Sequence, residues 1–210
     1  MSREDAQKRK KDTTILAPVW RHQSLYPLPP LKVPRPSYIE APIGESLRWA
    51  QPHALIRYHE LTSGGALVAT LKWPNMYGSL AIGECSMGRF TFKRAGFLHP
   101  YVTARVEGTE MDKAVLMLRF RLSGSIEFQD GVRFSFKKPN LLRSKWSLAG
   151  ENGSQVMSIT KRGGGKPRGD VRIHGDMAWD SYPHILALIA WYAIILDYEE
   201  REAAVGEYSA

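Results

Sequence analysis

The chain has 210 residues, of which 43% are hydrophobic, 24% charged and 10% aromatic, and its 29 Lys+Arg against 21 Asp+Glu give a formal charge of +8. That balance supports one folded domain with a sizeable core and excludes a wholly disordered chain, a collagen repeat and a disulfide-stapled scaffold. One cysteine, Cys85, permits no internal disulfide and supplies too few thiolates for a structural zinc site.

Met1 to Asp12 is charged, with Lys8-Arg9-Lys10-Lys11 as a cluster suited to phosphates or an anionic membrane. No apolar run of signal-peptide length follows it, so the expected compartment is the cytoplasm, with peripheral contact at a membrane. Residues 18–42 hold seven of the 13 prolines and therefore run extended. Their Trp20, Tyr26, Leu31 and Tyr38 are too apolar for a bare linker. Residues 1–44 are thus read as a basic, then Pro-rich arm lying against the domain surface. Pro27-Leu28-Pro29-Pro30 is a short match to an SH3 ligand.

From about residue 53 to 174 the pattern is one of short strands. Leu118, Phe120 and Leu122 alternate with Arg119 and Arg121; Val132, Phe134 and Phe136 alternate with Arg133, Ser135 and Lys137; Val171 and Ile173 alternate with Asp170, Arg172 and His174. Period-two alternation places one face in a core and the other in water. Ser63-Gly64-Gly65, Asp130-Gly131, Asn152-Gly153 and Gly163-Gly164-Gly165 separate the runs and supply the positive φ angles of tight hairpins. About eleven strands can be counted, which makes the body a β meander or barrel. Within it, Arg89-Phe90-Thr91-Phe92-Lys93-Arg94 echoes Arg133-Phe134-Ser135-Phe136-Lys137-Lys138 at an offset of 44 residues, the mark of a duplicated half-barrel.

The next segment is different in kind. Ile185 to Leu196 is apolar throughout, Asp180 or Ser181 can cap its start, and Pro183 suits a first helical turn. A helix with no polar face lies inside protein or inside a membrane. Its apolar length of about 20 Å falls short of a bilayer core of about 30 Å. Asp180, His184, Asp197, Glu199 and Glu200 block extension either way, so no transmembrane span is expected. The helix, placed at about 182–198, is instead expected to be enclosed by the strands, with 201–210 as a C-terminal tail.

Charge is unevenly spread. Residues 86–172 carry 17 basic and 7 acidic side chains, whereas 173–210 carry only Arg201 against 7 acidic ones. The echoed strands put Arg89, Thr91 and Lys93, and Arg133, Ser135 and Lys137, on polar faces. If those copies adjoin, they form a continuous anion-binding face, since Arg forks and Lys point charges both suit phosphate oxygens. The candidate anion-binding residues are Arg89, Lys93, Arg94, Arg133, Lys137, Lys138, Lys161 and Arg162.

Other chemistries find little support. Gly163-Gly164-Gly165-Lys166 lacks the upstream Gly and following Ser or Thr of a phosphate-binding loop and precedes a strand, so it reads as a hairpin turn. Arg168-Gly169-Asp170 and Asn152-Gly153-Ser154 are turn sequences. The six histidines have no metal-ligand spacing, with His53 and His59 read as surface or strand-end residues and His184 as a buried one. No G-x-S-x-G is present, and Cys85 has no identifiable base. No catalytic residue, metal or cofactor is assigned.

The strand pair Trp146-Ser147-Leu148 and Gln155-Val156-Met157-Ser158-Ile159, joined through Gly150-Glu151-Asn152-Gly153, resembles the recurring hairpin of the tubby C-terminal-like superfamily. Ile189-Ala190-Trp191-Tyr192-Ala193-Ile194-Ile195-Leu196 resembles that group's buried terminal helix. The superfamily includes tubby proteins, phospholipid scramblases and plant LURP-one-related proteins, and the resemblance covers residues 45–200. It implies a mainly β fold, a closed or nearly closed antiparallel barrel of about twelve strands around a hydrophobic C-terminal helix. It also implies phosphoinositide binding, as in tubby proteins, although no head-group residue can be transferred position by position. The cysteine-rich segment and acidic calcium loop of scramblases are missing, which argues against lipid scrambling. The expectation is a non-enzymatic barrel whose basic face binds an anionic phospholipid head group or an acidic protein surface. Nucleic acid is the lesser alternative, because Phe90 and Phe92 should face the core rather than stack on bases. An enzyme with an unrecognised site is the other.

Overall fold

Alternating side chains build the wall of the barrel. The computed structural model describes residues 37–40, 46–119, 122–138, 144–163, 166–174 and 182–207. The arm expected over 1–44 lies outside the described residues except for 37–40, as do the candidate helix caps Asp180 and Ser181 and two residues of the Gly163–Gly165 turn. The strands are β1 (Ser46–Ala50), β2 (Tyr58–Ser63), β3 (Ala66–Lys72), β4 (Ala81–Cys85), β5 (Gly88–Ala95) and β6 (Tyr101–Val106). They continue as β7 (Asp112–Arg119), β8 (Ser123–Phe128), β9 (Arg133–Lys137), β10 (Lys145–Gly150), β11 (Gln155–Arg162) and β12 (Arg168–Ile173), followed by the helix α1 (Tyr182–Glu207).

Each strand pairs antiparallel with the next, and β1 pairs with β12 to close the ring. The result is a twelve-stranded up-and-down barrel. Leu47 and Trp49, Phe90 and Phe92, Phe134 and Phe136, and Val171 and Ile173 all point inward and are buried. Arg48 and Arg172 between them, and Lys93 and Lys137 next along their strands, point out.

The lumen is filled by α1. Every residue from His184 to Leu196 is buried, so the all-round apolar run sits inside the wall as expected. The helix packs closest to β3, β4 and β6, and that wall is lined by small inward residues: Ala69, Ala81, Gly83, Cys85 and Ala104. Phe134, Phe136, Trp146 and Met157 fill the wider opposite side. Two glycines mark the tightest approaches. A Cβ on Gly83 would stand 2.5 Å from the Phe92 ring and 3.1 Å from Leu188, and one on Gly169 would stand 2.5 Å from the Trp191 indole.

Aromatic rings lock the helix in register. Trp191 stacks on Trp49 at 5.6 Å between centroids, and Tyr192 stacks on Trp73 at 5.6 Å. His59 sits edge-on to both Trp73 and Trp191. The Tyr192 hydroxyl accepts the Arg94 backbone N–H at 2.8 Å and donates to the Ser79 carbonyl, tying the helix to the end of β5 and to the loop before β4. Ion pairs then hold it at the rim where it leaves the barrel: Arg57 Nε to Glu199 Oε1 at 2.9 Å, and Arg94 to Glu200.

Several details differ from the sequence reading. The first strand starts at Ser46, before the expected onset near residue 53. The helix continues to Glu207 rather than ending near 198, because Glu199 and Glu200 find arginine partners at the rim. Leu118 and Leu122 do not share one strand: β7 ends at Arg119, and Leu122 has a φ of 51°, a turn conformation. His59 is not a strand-end residue but lies inside, where aromatic edges surround its imidazole. The echoed segments are β5 and β9, four strands apart, whereas halves of a twelve-strand barrel would stand six apart. The echo therefore does not trace a duplicated half-barrel; two amphipathic strands with the same inward Phe-x-Phe pattern account for it.

Two outcomes are expected. Replacing Gly169 by Ala forces Trp191 off the β12 backbone and should cost about 1–3 kcal/mol in urea unfolding; unchanged stability would contradict this seating of the helix. Burial, reinforced by the nearby Arg57 charge, lowers the His59 pKa from 6.5 to about 4. The unfolded chain therefore takes up this proton first as pH falls. Stability is intact above about pH 6.5 and declines towards pH 4, by roughly 3 kcal/mol from this group. His59→Phe should flatten that part of the pH–stability profile measured by denaturant titration.

Candidate functional site

Antiparallel pairing sends all odd-numbered strands the same way, so their C-terminal ends share one rim. This is the rim where α1 emerges, since Arg94 at the end of β5 meets Glu200 and Lys161 at the end of β11 lies 3.7 Å from the Tyr198 ring centroid. Six of the eight candidate cations, Lys93, Arg94, Lys137, Lys138, Lys161 and Arg162, belong to this rim. Arg89 and Arg133 begin their strands and lie towards the opposite one.

These eight do not form one face. The four strand steps from β5 to β9 amount to about 19 Å along the wall. Several charges are also already matched. Arg89 pairs with Glu84 at 2.7 Å and Glu107 at 2.8 Å, and Arg133 pairs with Glu127 at 3.1 Å. Lys138 lies over the Trp146 ring, and Lys161 donates to the Gly163 carbonyl at 3.1 Å while burial lowers its pKa. Lys93 and Lys137 are exposed and meet no acidic partner among the described residues.

Barrel closure creates a different concentration of charge. Where β12 zips to β1, register sets Arg48 beside Asp170, Asp170 beside Thr160, and Thr160 beside Lys145. The next outward row runs Ser46, Arg172, Ser158 and Ser147 across the same four strands. These rows, apart from Ser147, line an open groove of about 400 Å³ with Arg162 at one end and His174 at the other. Four permanent cations, Arg48, Lys145, Arg162 and Arg172, face one carboxylate among its lining residues.

Asp170 organises one end. It bridges Arg48 at 3.7 Å and Arg162 at 2.5 Å, holding two guanidinium groups over the sheet. Arg172 and Lys145 have no acidic partner among the described residues, so their charge is available to a ligand. Ser158, mostly buried, shares a 3.0 Å hydrogen bond with His174 Nε2, and Gln155 approaches the same nitrogen at 3.4 Å. Burial, then the positive charges of Arg172 and Lys145, lower the His174 pKa, which favours the neutral imidazole that hydrogen-bonds Ser158.

The groove offers fixed positive charge and hydroxyls on a rigid sheet. Such a surface suits an oxyanion held by several donors at once. Of its cations, the sequence reading named only Arg162. Arg172 and His174 were visible as outward residues of an alternating run, but Arg48 sits on the strand that was overlooked. Its meeting with Asp170 depends on closure between residues more than a hundred positions apart.

Among the described residues, no three His, Cys, Asp or Glu side chains gather as a metal site, and no helix is long and apolar enough to cross a membrane. No known family matches the sequence, and no curated protein matches it either. Among solved structures, the chain is similar to a protein from Arabidopsis thaliana determined by X-ray crystallography, at 17% identity and a TM-score of 0.46, over 74% of this chain and 91% of that one.

Proposed function

We propose that this chain is a non-enzymatic barrel of the tubby C-terminal-like kind that binds an anionic phospholipid head group on its basic outer wall. The architecture is the one the resemblance implies: twelve antiparallel strands closed around a buried C-terminal helix. One observation carries the binding reading. In the groove over β10, β11, β12 and β1, Arg172 and Lys145, which have no acidic partner among the described residues, stand beside the Asp170-bridged Arg48 and Arg162. Phosphate oxygens match this set in charge and in their capacity for multiple hydrogen bonds. Phe90 and Phe92 are buried in the core, so they provide no platform for nucleic-acid bases.

The test is flotation of the full chain with vesicles of neutral phosphatidylcholine, with or without added phosphatidylserine or phosphatidylinositol phosphates. Recovery should favour the anionic vesicles at low salt and fall as salt rises. Equal recovery on both vesicle types, or competition by an acidic polypeptide but not by anionic lipid, would overturn the head-group reading. Arg172→Glu, a substitution at an exposed position, should remove most of the anionic preference while leaving the circular dichroism spectrum unchanged.

A second variant acts in the opposite direction. Asp170→Asn removes the groove's carboxylate and releases two guanidinium groups. It should raise affinity for the same anionic vesicles roughly fivefold, the size expected for one nearby charge at a protein surface. A loss of affinity would mean that the bridge is needed to hold the arginines in place.

A further inference from the structure

The rim where α1 emerges carries a second feature that the head-group groove does not use. Residues 51–57, 73–80 and 96–100 join β1 to β2, β3 to β4 and β5 to β6, so these three loops open at that rim side by side. Seven of the ten exposed large hydrophobic residues among the described residues lie in them. Tyr77 is 98% exposed and Phe97 96%, with Leu55 and Leu98 next and Met76 also exposed. Scattered exposed apolar side chains are ordinary, but this many on neighbouring loop tips mark an interaction surface.

The tips are held out by their own framework. Arg57 donates from Nη1 to the carbonyls of Met76 at 3.0 Å and Gly78 at 2.9 Å, fixing the second loop. Gly96 has a φ of 79°, and a Cβ there would stand 2.4 Å from the His99 carbonyl oxygen, so the third loop turns too tightly for any other residue. Between these loops and the emerging helix opens a cleft of about 560 Å³, with the Arg57–Glu199 and Arg94–Glu200 pairs in its lining.

The charge around the tips selects the partner. The helix carboxylates nearest the loops are matched: Glu199 by Arg57, Glu200 by Arg94 and Asp197 by Arg201. Lys93, Arg119 and Lys137 at the same rim have no acidic partner among the described residues. On the helix itself Glu202 is exposed and has no ion-pair partner among the described residues, so the unmatched charge at this rim is three cations against one carboxylate and is mainly positive. A second copy docking end to end would bring two such rims together, at an electrostatic cost. A bilayer bearing anionic head groups offers the opposite charge together with an apolar interior a few ångströms deeper.

We propose that this rim is a membrane-insertion surface, in which the three loop tips enter the interfacial region of a bilayer while the surrounding lysines and Arg119 meet its anionic head groups. Tyr and Phe suit that depth because they bring a large apolar area at low conformational cost. The insertion is separable from head-group binding, since apolar tips partition into neutral and anionic bilayers alike.

The test places a reporter on the third loop. Phe97→Trp in the full chain should shift its emission to shorter wavelength on adding vesicles and should be quenched by phosphatidylcholine with brominated acyl chains, relative to the wild-type protein under the same conditions. The double variant Tyr77→Ser, Phe97→Ser should lower partition at least tenfold on neutral and anionic vesicles together, leaving the ratio between them unchanged. Arg172→Glu should do the reverse, lowering that ratio while keeping acyl-chain quenching. Flotation without acyl-chain quenching would overturn insertion and leave the head-group reading standing. Quenching with no anionic preference would overturn the head-group reading and the pairing of the rim cations with anionic head groups, leaving only the insertion of the tips. A vesicle-independent dimer in sedimentation equilibrium, abolished by the double Ser variant, would assign the tips to a second copy and overturn insertion.

Discussion

A ring of twelve strands is too wide for its own side chains to fill and too narrow to be a useful water-filled channel. Every other feature of this protein follows from that width. The lumen needs a rod of apolar material with no polar stripe, and α1 supplies one whose residues are buried from His184 to Leu196. The rod is off-centre, so the wall is graded, with Ala, Gly and Cys where the helix is close and Phe, Trp and Met where it is distant. Trp191 over Gly169 and Leu188 beside Gly83 are the contact points that fix its height and rotation.

Because the interior is used up by packing, function is left to the outside and the rims. The outer wall is polar at every second residue, and several of its arginines are paired with carboxylates on neighbouring strands. Arg89 with Glu84 and Glu107, and Arg105 with Glu110 and Asp112, are pairs of this kind. Exposed pairs contribute little to stability individually. Their larger effect is on where several unspent positive charges gather. The seam between β12 and β1 is one such place, and the rim around the emerging helix is another.

Much of the architecture was legible in the sequence because it rests on local patterns. Alternation in Phe134-Ser135-Phe136 and Val171-Arg172-Ile173, with glycine turns between strands, gave the β body. The uninterrupted run Ile185 to Leu196 could only be an enclosed helix. What stayed hidden depends on long-range pairing. Leu47 and Trp49 alternate as clearly as any strand, yet the stretch is only five residues long and follows a Pro-rich region, which leaves its pattern a weak signal. With β1 overlooked, nothing in the linear sequence places Arg48 beside Asp170. The Phe-x-Phe echo misled for the complementary reason: resemblance between two strands says nothing about how many strands separate them. Exposure of Tyr77 and Phe97 was equally unreadable, since a hydrophobic residue in a loop may fold back or stand out, and only the Arg57 and Gly96 geometry decides it.

The closure of β1 on β12 has a consequence for biogenesis. During synthesis the strands leave the ribosome before the helix that fills them, and the first strand has to wait for the twelfth. Until α1 is made, the sheet is an open ribbon with two unpaired edges and an uncovered apolar face, the state most exposed to misassembly. Closing early would trap an empty lumen, so the small residues of β3, β4 and β6 have to remain accessible until Leu188 and Trp191 arrive. The core is thus completed by a segment made after all twelve strands, with ring closure as the concluding event.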